Sequence, residues 1–219
     1  MSTLTTLTPL LNRLFAEADA AEPATHAAVA GFAAGELARL MRSKSEYLEL
    51  YGRLKELPLA VSREAGALLY ILARSCGARA IVEFGTSFGI STLFLAAALR
   101  DNGGGRLITS ECEESKAERA RQNLTEGGLI DLVEIRVGDA LHTLRDGLPD
   151  GIDLLLLDGA KGLYADILDL TEKKLRPGAL LVADDADDCP DYLARVRSIA
   201  AGYLSVPLAG DVELSVRLG

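Results

Sequence analysis

The stretch from Arg79 to Leu99, RAIVEFGTSFGISTLFLAAAL, constrains this chain more than any other. Its β-branched residues Ile81 and Val82 lead through Glu83 into a loop containing Gly85 and Gly89, and the loop opens onto an apolar run of helical character. The order is strand, glycine turn, helix. Glycine lets a backbone turn sharply at the carboxyl end of a strand and approach a ligand closely, while the helix that follows offers free N–H groups to an anion. The spacing is E-x-G-x-x-x-G and lacks the G-x-G-x-x-G of the dinucleotide fingerprint.

Around this turn the chain alternates between strand and helix patterns, which implies a parallel sheet with helices on both faces. The pattern predicts strands at Ala80 to Phe84, at Arg106 to Ser110 ending on Glu111, at Leu132 to Val137, at Ile152 to Leu157 and at Ala179 to Ala183. Helices are expected from Ser115 to Glu126, from Tyr164 to Leu175 and from Tyr192 to Ala201, and Pro177 with Gly178 reads as the turn into the fifth strand. Two short strands, Tyr203 to Pro207 and Val212 to Arg217, could pair across a turn containing Gly210 and Asp211. Ahead of the sheet, the spacing predicts helices from Leu4 to Glu17 and from Ala28 to Leu54, broken around Glu22, Pro23 and Ala24. A third helix opens at Ser62, with Ser at the N-cap and Glu64 in the first turn. With 219 residues and no break in composition, the chain reads as one domain: a helical cap over residues 1–57 and an α/β core over 58–219.

Bulk properties narrow the function. A net charge of −9 opposes a surface that tracks phosphates, so nucleic acid is not the expected partner. The N-terminal stretch shows no signal-peptide pattern, and no apolar run approaches membrane-spanning length. Cys76, Cys112 and Cys189 lack paired or metal-ligand spacing, which suits a reducing cytoplasm.

The placement of the acids carries the chemistry. Glu83, Glu111, Asp158 and Asp184 are each expected just past a strand, on the rim where open α/β sheets bind ligands. Glu111 is placed to accept hydrogen bonds from ribose hydroxyls; a solvated loop acid is its plainer reading. Asp139 and Ala140, after Gly138, would face an adenine, and Asp139 serves equally as a helix N-cap. Asp158, Asp184 and Asp185 form a candidate site for a hard cation, because clustered carboxylates repel one another until a divalent ion removes the conflict. The alternative is an acidic loop. Lys161 reaches the same pocket and could act as a general base if nearby positive charge lowers its pKa, or it could simply pair with an acid. His26 and His142 lie away from the strand ends and read as surface residues.

The series IVEFGTSFGIS, ITSE, VGDA, LLLLDGAKGLY and LLVADD, spread from Pro58 to the C-terminus, resembles the cation-dependent O-methyltransferases that include the catechol and caffeoyl-CoA enzymes. The resemblance implies a doubly wound, mostly parallel Rossmann-like sheet with an antiparallel C-terminal pair and N-terminal helices. It also implies S-adenosylmethionine (SAM) contacts at Val61, Glu83, Gly85, Thr86, Ser91, Glu111, Asp139 and Ala140, with Asp158 touching SAM or the acceptor. Asp158, Asp184 and Asp185 would ligate Mg²⁺, or Mn²⁺ or Ca²⁺, and Lys161 would be the catalytic base. One departure stands out: the family usually carries Asp-Asn where this chain has Asp184-Asp185. Between Tyr203 and Gly210 there is also no match to the acid that catechol methyltransferases set against the second hydroxyl. The expected activity is O-methylation of a small phenolic or vicinal-diol acceptor; the N-terminal helices are expected to pack over the acceptor side or against a second subunit, and a homodimer is predicted. The rival readings are a tRNA-nucleoside methyltransferase, a non-catalytic SAM-binding module and an NAD-dependent oxidoreductase.

Overall fold

The computed structural model describes residues 2–208 and 212–219. Seven strands form one sheet in the order β3-β2-β1-β4-β5-β7-β6. They are β1 (Ala80–Phe84), β2 (Arg106–Glu111), β3 (Val133–Val137), β4 (Ile152–Leu157), β5 (Leu175–Ala183), β6 (Tyr203–Pro207) and β7 (Glu213–Arg217). The first five run parallel, and β7 lies antiparallel between β5 and β6. The C-terminal pair is therefore present, with Tyr203 opposite Arg217 and Pro207 opposite Glu213. Its turn at Gly210 and Asp211 lies outside the described residues.

The four leucines of β4 show how the sheet is held. Leu154 and Leu156 pack with Leu69, Leu95 and Leu99 of α4 (Arg63–Ser75) and α5 (Ile90–Asp101), while Leu155 and Leu157 pack with Tyr164, Ile167 and Leu168 of α8 (Tyr164–Thr171). Alternate residues of a strand point to opposite faces, so an unbroken apolar run is what a strand covered on both sides requires. Each such side chain contributes roughly 1.5–3 kcal/mol through burial.

Three expectations are corrected here. The N-terminal segment is a single helix, α1 (Thr3–Ala30), which runs through Pro9 and Pro23; the break falls later, ahead of α2 (Glu36–Arg42) and α3 (Tyr47–Arg53). Both prolines are exposed, so the carbonyls that lose an N–H partner can be hydrated. Meanwhile Leu7, Leu10, Leu11, Leu14 and Phe15 bury one face of α1 against α5. Second, β5 begins at Leu175 and absorbs Pro177 and Gly178 in a register shift against β4, where they had read as a turn. Third, Glu83 lies inside β1 and not beyond it, since the ladder continues to Phe84 on both sides. Ser62 does cap α4, its side chain accepting the Ala65 N–H. No helix among the described residues is long and apolar enough to cross a membrane.

Candidate active site

Strand order reverses around β1, whose neighbours are β2 and β4, and a crevice opens there at the carboxyl ends. It deepens into a cavity of about 710 Å³ walled by the loops after β1, β2, β4 and β5 and covered by residues of α1, α2 and α3, among them Val29, Met41, Tyr47 and Tyr51. Two glycines set this geometry. Gly85 has φ +100°, and a Cβ there would lie 2.3 Å from the Asp158 carbonyl oxygen. Gly162 allows the end of α2 to rest on the Lys161 turn, where a Cβ would lie 2.7 Å from the Arg42 carbonyl oxygen.

On one wall, Glu111 closes β2 with only 7% of its surface exposed, which excludes a solvated loop acid. Its Oε2 accepts the Ser87 N–H at 2.7 Å and its Oε1 accepts the Glu113 N–H at 3.0 Å. Ser87 holds a positive φ of 47°, and its Oγ is buried with no hydrogen-bond partner among the described residues. Gly138, Ala140 and Cys112 continue this wall. Asp139 is the N-cap of the short helix α7 (Ala140–Thr143): Oδ1 accepts the Leu141 N–H and the Tyr47 hydroxyl, while Oδ2 meets the His142 ring. Burial works against its charge, but the Leu141 N–H, the His142 ring and the Tyr47 hydroxyl outweigh it and hold the carboxyl below its ordinary range.

Glu83 does not wall the large cavity. It is fully buried, with Oε1 accepting from Ser91 Oγ and Oε2 from Thr92 Oγ1, both at 2.6 Å. Thr86 also turns inward, to Thr109 Oγ1 at 2.6 Å. A narrow cleft beside the cavity nevertheless brings Val61, Thr86, Ser91 and Asp158 together around Gly85.

The opposite wall is built around Lys161, which is 7% exposed. Its Nζ lies 3.1 Å from Asp185 Oδ2 and 3.8 Å from Asp158 Oδ1, and it donates to the Tyr164 hydroxyl at 2.9 Å and to the Asp184 carbonyl at 3.2 Å. Tyr164 is fully buried, and its hydroxyl donates to the same carbonyl. Burial alone would lower the lysine pKa; the charges of Asp158 and Asp185 overcome it and raise the pKa above its ordinary value. Burial pushes Asp158 well above the carboxylate range, with Lys161 opposing and Asp184, Glu83 and Asp185 adding to the rise. Asp185, in a left-handed conformation with φ 49°, follows Asp184 at the end of β5. Among the described residues no three His, Cys, Asp or Glu side chains are grouped so as to hold a metal ion; the ammonium lies close to both Asp158 and Asp185.

Tyr164, Tyr51, Ser87 and Lys116 belong to this site without having been singled out in the sequence. Tyr164 lies three residues past Lys161 on the turn leading into α8, and Tyr51 donates to the Gly159 carbonyl from α3. The tyrosine ending the string DGAKGLY was the available signal for the first; no local pattern pointed to the second.

A Rossmann-like sheet whose switch-point cavity carries acids from several strand ends defines a class of nucleotide-cofactor proteins, and the comparisons with known proteins narrow it. Residues 82–186 match a family described as a methyltransferase domain. The O-methyltransferase TomG from Streptomyces achromogenes, involved in tomaymycin synthesis and solved with SAM, is 32% identical, with 84% of this chain and 94% of that one covered at a TM-score of 0.63. The O-methyltransferase from Bacillus cereus, solved with S-adenosylhomocysteine (SAH), is 26% identical over 80% of this chain and 92% of its own, at a TM-score of 0.66. A catechol O-methyltransferase of Niastella koreensis is 37% identical over 130 residues, and this match spans 58% of each chain. The chain belongs to the SAM-dependent O-methyltransferase family.

Proposed function

We propose that this chain methylates a hydroxyl oxygen of a small phenolic or vicinal-diol acceptor. The observation that carries the reading is the placement of the Glu111 carboxylate and the Lys161 ammonium on the walls of one cavity beneath the N-terminal helices. SAM, when bound, supplies the electrophilic methyl group. Glu111 would accept from its ribose hydroxyls, with Asp139 and Ala140 beside the adenine. Val61, Gly85 and Asp158, which wall the cavity, would meet the methionine end, with Thr86 and Ser91 in the narrow cleft beside them and Glu83 behind Ser91. The unpartnered Ser87 Oγ and the close approach at Gly85 support this fit. Family membership weighs against an NAD-dependent oxidoreductase, and the net charge of −9 against a tRNA substrate.

Mg²⁺, with Mn²⁺ or Ca²⁺ as alternatives, would be held by Asp158, Asp184 and Asp185 and would supply positive charge beside the acceptor hydroxyl. Oxygen donors suit these ions, and Asp158 and Asp185, which stand around the Lys161 ammonium, would have to turn toward an ion for the three to meet. Lys161 is assigned the acceptor proton. Tyr164 and the Asp184 carbonyl orient its Nζ, and weakening the charge of Asp158 or Asp185 lowers its pKa toward the range a general base needs. Residues 1–57 are assigned as a cap on the acceptor side and 58–219 as the core. The three free thiols suit a cytoplasmic location.

Incubation with SAM and catechol, followed by mass spectrometry, tests the reading. Methylated product is expected, and it should fall to background in excess chelator and recover with added Mg²⁺. Turnover unchanged in chelator would remove the cation, and no product from catechol or any other diol or phenol would remove the acceptor class.

We also propose a homodimer, although the apolar faces of the N-terminal helices are largely used within the chain. Exposed Ile199, Leu204, Val206 and Leu218 give it a different support, near the outer strand β6. A dimeric mass is expected by light scattering, and a monomer across a wide concentration range would rule it out.

A further inference from the structure

Lys116 lies in the first turn of α6 (Glu114–Glu126), 2% exposed, and walls the same cavity as Glu111, Cys112 and Ser87. Among the described residues its Nζ has no hydrogen bond or ion pair; the Phe88 ring, with its centroid 6.0 Å away, is the contact it makes. Buried ammonium groups normally have an acceptor. Burial pushes this pKa down, against the pull of Glu111, Cys112 and Glu113. Ser87 Oγ is a buried polar atom without a hydrogen-bond partner among the described residues, on the same wall. Glu111 Oε1 accepts the Glu113 N–H and the Cys112 thiol, while Oε2 accepts the Ser87 N–H and keeps a lone pair for a further donor.

A carboxylate only accepts hydrogen bonds and an ammonium only donates them. A ligand hydroxyl does both, so one placed between the two groups satisfies each, and a vicinal diol offers two adjacent oxygens for the purpose. Glu111 and Glu113 also repel an anion, which favours a neutral polyhydroxyl group over phosphate or carboxylate.

We propose that Lys116 is a ribose-binding residue, its ammonium donating to an adenosyl hydroxyl whose own proton is given to Glu111. The assignment rests on the SAM reading above. Titration calorimetry with SAH on the full chain tests it, using Lys116→Met, which keeps an unbranched stem beside Phe88, and Lys116→Gln, which keeps a neutral donor. Lys116→Met should weaken SAH binding on the order of 10- to 100-fold, as expected for a lost hydrogen bond from a charged group, with partial recovery in Lys116→Gln. Against a 2′,3′-dideoxyribosyl analogue of SAH, wild type and Lys116→Met should bind alike. Equal SAH affinity in wild type and Lys116→Met would overturn the assignment, as would an equal loss against SAH and the analogue. Wild-type protein that fails to bind SAH would remove the SAM reading itself. Thermal unfolding without ligand checks that the variants fold, and Lys116→Gln carries the comparison if Lys116→Met does not.

Discussion

Lys161→Met is expected to lower kcat for methyl transfer by a factor on the order of 10²–10⁴, the range for loss of a general base, while SAH affinity holds. The split follows from position. Lys161 Nζ contacts Asp185, Asp158, the Tyr164 hydroxyl and the Asp184 carbonyl, whereas Glu111, Ser87 and Ala140 stand on the other wall. Losing the ammonium removes the counter-charge of Asp158, whose pKa burial already raises, so that carboxyl can take up a proton rather than unfold the site. The Asp185 side chain is 53% exposed and is largely screened by water. Lys161→Arg separates two roles for the residue. A guanidinium keeps the positive charge but does not release its proton, so a base is lost in both variants, whereas a purely electrostatic group survives in the arginine. Asp185→Asn should keep activity, because it removes the nearest charge holding the proton on Lys161. Steady-state kinetics with SAM and catechol, beside SAH calorimetry, check all three variants. An unchanged kcat in both Lys161→Met and Lys161→Arg would take the lysine out of the chemistry.

The residues that sequence alone could place were those whose environment is local. Leu154 to Leu157 form an apolar run between Asp153 and Asp158, and that run is the core strand β4. Ser62 caps a helix three residues from the N–H it accepts. Other features depend on partners distant in the chain. The continuity of α1 through Pro9 reflects a face buried on α5 from Leu7 to Phe15, which outweighs what proline predicts locally; Pro23 lies beyond that face, and no buried contact explains the passage there. Glu83 resembles a rim acid until Ser91 and Thr92, on the helix that packs over β1, are seen to satisfy it. The ion pair between Lys161 and Asp185 joins the turn after β4 to the end of β5, and only the pairing of those strands brings it about. Lys116 was within reach of the sequence. It shares the inward face of α6 with Ala120, Asn123 and Leu124 at helical spacing, and a lysine in that register needs a partner.

Glu83→Gln is expected to stabilise the protein above neutral pH by roughly 3 kcal/mol and to leave stability unchanged at pH values below about 4.5. Burial drives the Glu83 carboxyl up, the Ser91, Thr92 and Thr109 hydroxyls partly oppose it, and the group titrates near a pH of about 7 against 4.5 for the ordinary side chain. Below the lower value both folded and unfolded chains carry the proton, so glutamate costs nothing relative to glutamine. Between the two values the unfolded chain gives up its proton while the folded chain keeps it, and stability falls as pH rises. Above the upper value both states are ionised and the loss stays constant. Glutamine resembles the protonated acid, with one oxygen to accept and an N–H to donate, and the Ser91 or Thr92 hydroxyl can turn to match it. Urea unfolding of wild type and variant at several pH values, without ligand, measures the difference. The two curves should separate progressively from about pH 4.5 to about pH 7 and then run parallel. Curves that stay parallel throughout would mean that the folded carboxyl titrates at its ordinary pH, leaving the Ser91 and Thr92 hydroxyls with an ionised partner over the whole working range.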